Sequence, residues 1–325
     1  MGEKTPELSI IIPVYNEEEN LPPLHEELLA RMEAFGRDYE ILYVDDGSAD
    51  ASWKILGELH AQNPDRVRLL RFRRNFGQTA ALAAGFDAAR GELIIPMDAD
   101  MQNDPADIPA MVEKAEEGYD VVSGWRRKRQ DVFLTRRLPS KIANGLISAI
   151  TQIKLHDYGC TLKIFRRDIV KNIHLYGEMH RFLPALAMWS GASVVEMEVN
   201  HRQRLHGKGK YGLDRITRVV LDLITVKFLL SYSTRPMQVF GRWGLYSIAF
   251  GFLMGLIMIL RKFLPPYEDI TGTPWLYLSI FFTLGGLQMM CMGLLGEINV
   301  RTYYETQQKS IYSLRERVGF DETSG

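Results

Sequence analysis

The sequence predicts an α/β fold, a mostly parallel sheet with helices on both faces, followed by a hairpin of two apolar helices. Two observations predict it. From Leu8 to about Val199 short β-branched runs alternate with helical periodicity, and after Arg242 the chain carries two long uncharged runs. At 325 residues, with a formal net charge of −1 and 24% charged residues, the chain has room for two modest domains and is neither a disordered tail nor a basic nucleic-acid module. Cys160 and Cys291 are its two cysteines, too few for a disulfide framework or a cysteine zinc site, and they suit a reducing compartment. The first residues, MGEKTPELSIIIPVYN, carry acidic side chains and a proline and do not read as a secretory signal.

Taken in order, LSIIIPV, EILYV, VRLLRF, ELIIPM and DVVSG read as strands, buried on both faces where the apolar run is unbroken. Leu21, Leu24, Leu28, Met32 and Phe35 recur at intervals of three and four and predict a helix that Gly36 stops. A second helix runs from Ala51 to about His60, with Trp53, Leu56 and Leu59 on one side. Strands alternating with helices in this way put ligands at the carboxyl ends of the strands.

Past Asn200 the character changes. HRQRLHGKGKYG holds four Arg or Lys and three Gly and predicts a basic loop. In LDRITRVVLDLITVKFLLSYS, Asp214, Arg218 and Asp222 share one face while Leu213, Ile216, Val220, Leu223 and Phe228 lie largely opposite, as in a helix on a membrane surface. Between Arg242 and Arg261 lie 18 uncharged positions, and between Asp269 and Glu297 lie 27. About 20 helical residues cross a hydrocarbon core of about 30 Å, so both runs are candidate spans. Arg235, Arg242, Arg301 and Lys309 at the outer ends favour cytoplasmic termini, and Trp243, Trp275 and Tyr277 suit the interfaces. The predicted organisation is an α/β domain over 1–211, amphipathic juxtamembrane helices over 212–235, two transmembrane helices over 236–300 and a cytoplasmic tail over 301–325. Gly285, Gly286, Gly293 and Gly296 stand at close-packing intervals and make a homo-oligomer through the hairpin plausible.

Three motifs carry chemistry. SIIIPVYNEEENL runs from strand through turn to helix, and VDDGSAD ends a buried strand in two acids before turning on Gly47 and Ser48. A carboxylate there accepts hydrogen bonds from a base imide or a ribose, although Asp-Gly-Ser is also ordinary turn chemistry. In PMDADMQND, Asp98 and Asp100 end an apolar strand two residues apart and both can reach one hard divalent cation that also takes diphosphate oxygens, with Gln102 as a neutral oxygen nearby. An acidic strand end can equally be a solvated loop.

In this order and spacing the three motifs resemble the GT-A glycosyltransferases of family 2, over about Leu8 to Tyr211. RNFGQTAALAAGFDAARGE, SGWRRKRQD, RRLPSKIAN, DYGCTLKIFRRD and RLHGKGKY are similar to segments of the polyprenyl-phosphate glycosyltransferases, which include dolichyl-phosphate mannose synthases and the GtrB and ArnC types. The resemblance implies a GT-A, Rossmann-like catalytic domain carried by the apolar hairpin, and an inverting, metal-dependent hexosyltransferase of the bacterial inner membrane with its catalytic domain in the cytoplasm. It implies that Pro13, Tyr15, Glu17 and Asp46 line the nucleotide pocket, that Asp98, Asp100 and Gln102 hold Mg²⁺ or Mn²⁺, and that Arg204 and Lys210 meet the donor phosphates. Arg126, Arg127, Arg136 and Arg137, with Ser140 and Asn144, are implied for the phosphate of the polyprenyl acceptor, since guanidinium binds phosphate bidentately. The basic run also suits anionic lipid headgroups. Gly209 stands where the family usually has Ser. Asp157 matches the acidic position regarded as catalytic and is expected to orient the acceptor or act as base.

His180, His201 and His206 fit no metal-ligand spacing. The donor implied is uridine-diphosphate glucose, with guanosine-diphosphate mannose and modified uridine sugars behind it. Two rival readings are a processive polysaccharide synthase, whose Gln-x-x-Arg-Trp motif Gln238 and Arg242-Trp243 miss by one residue, and an inactive membrane scaffold or sugar-nucleotide sensor.

Overall fold

A computed structural model describes residues 5–127, 155–173, 175, 179–203, 236–263, 273–306 and 312–320. The chain forms two compact units, Met1–Ile224 with Ser310–Gly325, and Thr225–Lys309.

The first unit is built on one sheet. Its strands are β1 (Leu8–Val14), β2 (Tyr39–Asp45), β3 (Val67–Phe72), β4 (Leu93–Pro96), β5 (Val121–Trp125), β6 (Lys163–Arg166), β7 (Val194–Glu198) and β8 (Leu314–Val318). Their order across the sheet is β7-β5-β6-β4-β1-β2-β3-β8. The β1–β2, β1–β4, β2–β3 and β5–β7 pairs are parallel, as the alternating pattern predicts. The helices are α1 (Leu21–Phe35), α2 (Ser52–Gln62), α3 (Gln78–Ala88), α4 (Ile108–Glu116), α5 (Arg167–Lys171) and α6 (Leu183–Trp189). The central strands are fully covered, with Ile10, Ile12, Ile41 and Tyr43 at 0% exposure, and Leu21, Leu24, Leu28 and Met32 of α1 pack into the same core. α1 ends where the sequence predicts, at Gly36 in the left-handed conformation with φ 73°.

Three strands lie outside the runs that the sequence singles out: β7, VVEME, which pairs parallel with β5, and two antiparallel ones. β6, KIFR, is only four residues long and inserts antiparallel between β4 and β5. β8, LRERV, lies in the stretch expected as a tail, yet it pairs antiparallel with β3 and closes the sheet edge. Its three central charged side chains are exposed, which hides it from a hydrophobic reading and is how edge strands resist further pairing.

The second unit is a hairpin of α7 (Pro236–Phe263) and α8 (Pro274–Thr306). Both contain segments long and apolar enough to cross a membrane, Val239–Phe263 and Pro274–Gly296, and α8 continues past the expected end at 300. Small residues let the two helices touch. Ser279 Oγ donates to the Gly251 carbonyl at 2.7 Å, Ser247 Oγ donates to the Phe282 carbonyl at 2.6 Å, and Phe250 meets Phe282 edge-on at 5.0 Å. Gly286 and Gly293 face α7 of the same chain, whereas Gly285 has no neighbour within 4 Å of where a Cβ would stand. The amphipathic stretch 212–235 lies outside the described residues.

Candidate active site

The carboxyl ends of β4, β1 and β2 lie side by side, so the three motif turns meet at one end of the sheet. The first two turns are laced together. Asn16, in the left-handed region at φ 52°, donates its amide to Ser48 Oγ at 3.0 Å while its Oδ1 accepts from the Ala49 amide at 2.8 Å. The Glu17 amide donates to Ser52 Oγ at 3.0 Å, and the Glu18 carboxylate accepts from the Ala51 amide at 2.8 Å. Pro13 stands one residue before the end of β1, Tyr15 is 36% exposed just beyond the strand, and the Glu17 carboxylate accepts from Asn20 Nδ2 at 2.7 Å.

Asp46 is buried and takes the Phe76 amide on Oδ1 at 2.6 Å and the Gly77 amide on Oδ2 at 2.9 Å. Burial pushes its carboxyl up to about 6, against the pull of those two amides. The loop comes this near because Gly47 lacks a side chain. A Cβ there, at a φ of +71°, would lie 2.6 Å from the Arg74 carbonyl carbon. A carboxylate offers about four acceptor positions, so Asp46 holds the Arg74–Gly77 loop and retains capacity for a ligand.

At the end of β4, Asp98 accepts from Thr161 Oγ1 on Oδ2 at 2.6 Å and from Gln78 Nε2 on Oδ1 at 2.8 Å. Burial, and then the neighbouring Asp100 charge, raise the Asp98 carboxyl to about 6. Asp100 Oδ1 accepts the Gln102 amide at 3.2 Å across a turn in which Met101 takes a φ of 62°. The Gln102 carbonyl accepts the Arg202 amide at 3.0 Å. Arg202 in turn lays both terminal nitrogens on Glu27 at 2.7 Å and reaches Asp104 at 2.7 Å, which pins the chain two residues before Arg204. Two crowded carboxylates on one turn fit a hard divalent cation that completes its shell with substrate oxygens and water. Among the described residues no three His, Cys, Asp or Glu converge on one point, so a cation here depends on those further oxygens.

Asp157 is 2% exposed and is clasped by Arg126, Nε to Oδ2 at 2.7 Å and Nη2 to Oδ1 at 3.0 Å, with the Gly159 amide on Oδ1 at 3.1 Å. Burial works against the Arg126 charge, but the Asp157 bonds outweigh it and raise the guanidinium above its ordinary value. Arg126, expected at the acceptor phosphate, thus has its fork filled by a carboxylate, because the sheet brings β5 against the loop before β6. Arg127 is exposed and donates to Glu198 at 2.7 Å. The Asp157 loop is anchored from β7, where Glu196 accepts the His156 and Asp157 amides at 2.8 and 3.2 Å and the His156 ring stacks on Trp125 at 4.3 Å. Lys163 is buried beneath, donating to the Cys160 carbonyl, and burial lowers its ammonium while Asp157 and Asp98 draw it back up.

His180 bonds Thr79 Oγ1 at 2.8 Å, and His201 bridges to Asn103. Arg136, Arg137, Ser140, Asn144, Arg204, His206 and Lys210 lie outside the described residues. Sequence reasoning missed Gln78, Thr161, Lys163 and Glu196. The first three stand inside segments that carry the family resemblance, but only the bonds of Gln78 and Thr161 to Asp98 and the buried charge of Lys163 near Asp157 and Asp98 single them out.

The family profile described as Glycosyl transferase family 2 matches residues 9–174. A dodecaprenyl-phosphate galacturonate synthase of Rhizobium johnstonii is 42% identical over 313 residues, covering 95% of this chain and 92% of its own. An undecaprenyl-phosphate 4-deoxy-4-formamido-L-arabinose transferase of Shewanella sediminis is 38% identical over 318 residues, covering 98% and 94%. Among solved structures, mannosyl-3-phosphoglycerate synthase from Rubrobacter xylanophilus superimposes with a TM-score of 0.53 at 16% identity, covering 69% of this chain and 74% of that one. Glucosyl-3-phosphoglycerate synthase from Mycobacterium tuberculosis gives 0.52 at 16% identity, covering 69% and 80%. At that identity the likeness is one of fold.

Proposed function

Because this chain belongs to glycosyl transferase family 2, and within it to the polyprenyl-phosphate sugar transferases, we propose that it moves a sugar from a nucleotide-sugar to the phosphate of a membrane polyprenyl phosphate. The observation that carries the reading is the Asp98–Asp100 pair beside the Asp46 clamp, in a chain alike over nearly its whole length to two such transferases.

In this reading Pro13, Tyr15, Glu17 and Asp46 bind the nucleoside. Asp98 and Asp100, with Gln102 beside them, would hold Mg²⁺ or Mn²⁺, which would supply positive charge to offset that of the leaving diphosphate. Arg204 and Lys210 add positive charge to the same leaving group. Arg127, Arg136, Arg137, Ser140 and Asn144 receive the acceptor phosphate, and Arg126 stands at its inner edge. A phosphate oxygen of the acceptor forms the new bond to the anomeric carbon from the face opposite the leaving group. The bond from that carbon to the diphosphate oxygen breaks, the electron pair leaves with the nucleoside diphosphate, and the configuration inverts. The acceptor phosphate, with a second pKa near 6, is mostly ionised at neutral pH, so no proton has to be removed from it. Asp157, gripped by Arg126, then serves by holding that guanidinium in place. The apolar helices α7 and α8 keep the catalytic unit at the bilayer surface, where the acceptor's phosphate lies, on the cytoplasmic side.

The relatives' sugars are galacturonate and 4-deoxy-4-formamido-L-arabinose, neither of them the glucose expected from the sequence. We therefore place galacturonate first and keep glucose in the test. Labelled sugars from a panel of nucleotide donors are offered with a short polyprenyl phosphate to the detergent-purified protein, with Mg²⁺ or Mn²⁺ and with chelator. One donor is expected to label the lipid, and chelation or Asp100→Asn to abolish the labelling. Asp157→Asn, which strands a buried guanidinium, is expected to cost about 3 kcal/mol of stability and to slow transfer without abolishing it. Donor binding with no lipid product across the panel would instead favour a sensor or scaffold.

A further inference from the structure

The loop that clamps Asp46 is supported from the far side by the chain that follows α8. Phe76, whose amide holds Asp46 Oδ1, meets the ring of Phe72 edge-on at 5.6 Å. Phe72, at the end of β3, is 1% exposed and stacks on Tyr312 at 5.3 Å with the rings 15° apart. The Tyr312 hydroxyl donates to Asp87 Oδ2 at 2.8 Å, tying the same ring to α3, the helix whose first residue Gln78 binds Asp98. Next along the chain, the Ser313 carbonyl accepts the Arg73 amide at 3.1 Å, one residue before the clamp loop begins. The ladder of β8 on β3 shifts register between Arg71 and Phe72, at the point where this support starts. One aromatic side chain thus touches both elements that flank the loop, the end of β3 before it and α3 after it.

We propose that Tyr312 is a positioning residue for the Arg74–Gly77 loop, so that the segment leading into β8 sets the shape of the nucleotide pocket. The inference rests on the reading above only in calling the Asp46 pocket the nucleotide's; the mechanical coupling does not depend on it. Tyr312 stacks on Phe72, Phe72 meets Phe76, and through that contact the Phe76 and Gly77 amides are aimed at the two Asp46 oxygens. An aromatic contact of this kind is worth a factor of about three to ten in an equilibrium.

The test uses the full chain in detergent, with uridine diphosphate as the probe, and three variants. Tyr312→Leu removes ring and hydroxyl, and Tyr312→Phe keeps the ring. Val318→Ala weakens the same strand, where Val318 packs on the core beside Leu69, without touching the loop. Hydrogen exchange of the peptide over residues 73–80 and the Kd for uridine diphosphate are read together with Tm. Tyr312→Leu is expected to speed exchange in that peptide and to weaken the nucleotide about three- to tenfold, and Tyr312→Phe to keep most of both. Val318→Ala is expected to lower Tm and leave loop exchange and Kd as in wild type. If Tyr312→Leu and Val318→Ala behave alike, or if Tyr312→Leu leaves loop exchange unchanged, Tyr312 merely covers the edge and the proposal falls. If the wild type binds no uridine diphosphate, the uridine donor expected from the sequence falls, and loop exchange alone still decides the coupling.

Discussion

Asp46 illustrates how much of the site depends on single side chains with more than one partner. Its carboxylate is buried, which disfavours charge, and it is met by two amides, which favour charge; burial prevails and the group titrates at about 6. Between pH 4 and 6 the folded chain therefore retains a proton that the unfolded chain has already lost. The stability owed to this group is greatest below about pH 4 and falls as pH rises through 6. Asp46→Asn removes the titration, so in detergent melts the wild type is expected to lose Tm relative to the variant as pH climbs from 4 to 6. A wild type to variant difference that stays flat across that window would mean an ordinary carboxyl. The Asp157–Arg126 pair follows the other rule. Asp157 is buried and Arg126 largely so, with complementary charge, and the bonds from Asp157 raise the guanidinium above its ordinary value.

Elements bring these residues together by register. The parallel pairing sets Val14 beside Asp45 and Ile11 beside Pro96, so the turns that follow β1, β2 and β4 emerge at the same end of the sheet, the one after β4 three residues earlier than the other two. The hairpin obeys a different geometry, that of small residues at a helix contact. A Cβ on Gly286 would come within 2.5 Å of the Gly244 carbonyl oxygen and 2.8 Å of the Ile248 amide nitrogen, whereas one on Gly285 would meet nothing within 4 Å. Gly286→Val is expected to destabilise the hairpin by about 1–3 kcal/mol, the ordinary cost of overpacking, and Gly285→Val to be close to neutral. Thermal melts of the two detergent-solubilised variants make the comparison; equal losses would mean that α7 and α8 do not meet on this face. The same contacts assign Gly286 and Gly293 to packing within one chain, two of the four glycines that the sequence offered for association between chains.

For the whole molecule the decisive property is the outward apolar surface of the second unit. Phe252 and Phe281 are each 70% exposed, and Leu245, Leu253, Leu284 and Leu295 are exposed with them. Such a continuous apolar surface is costly in water and matches lipid. Expressed in a bacterial host, the full chain is expected to stay in the membrane pellet through high salt and alkaline carbonate and to be released by detergent. Release by carbonate alone would mean that the helices lie on the membrane or pack in a soluble assembly.

The sequence by itself determined the parallel core, the stop at Gly36, the two long apolar helices and the three acidic turns. Each of these is written in local periodicity or in a short run of residues whose spacing suffices. Only the tertiary structure decided where β6 and β8 go, since four- and five-residue strands, one of them mostly charged, carry no period to read. Partnership was also invisible in one dimension. Arg126 and Asp157 are 31 residues apart, Asp98 and Thr161 are 63 apart, and Tyr312 and Asp87 are 225 apart. Which carboxylate a guanidinium fills, and which ring steadies a loop, follows from how strands distant in sequence lie side by side in the sheet, and only packing sets that order.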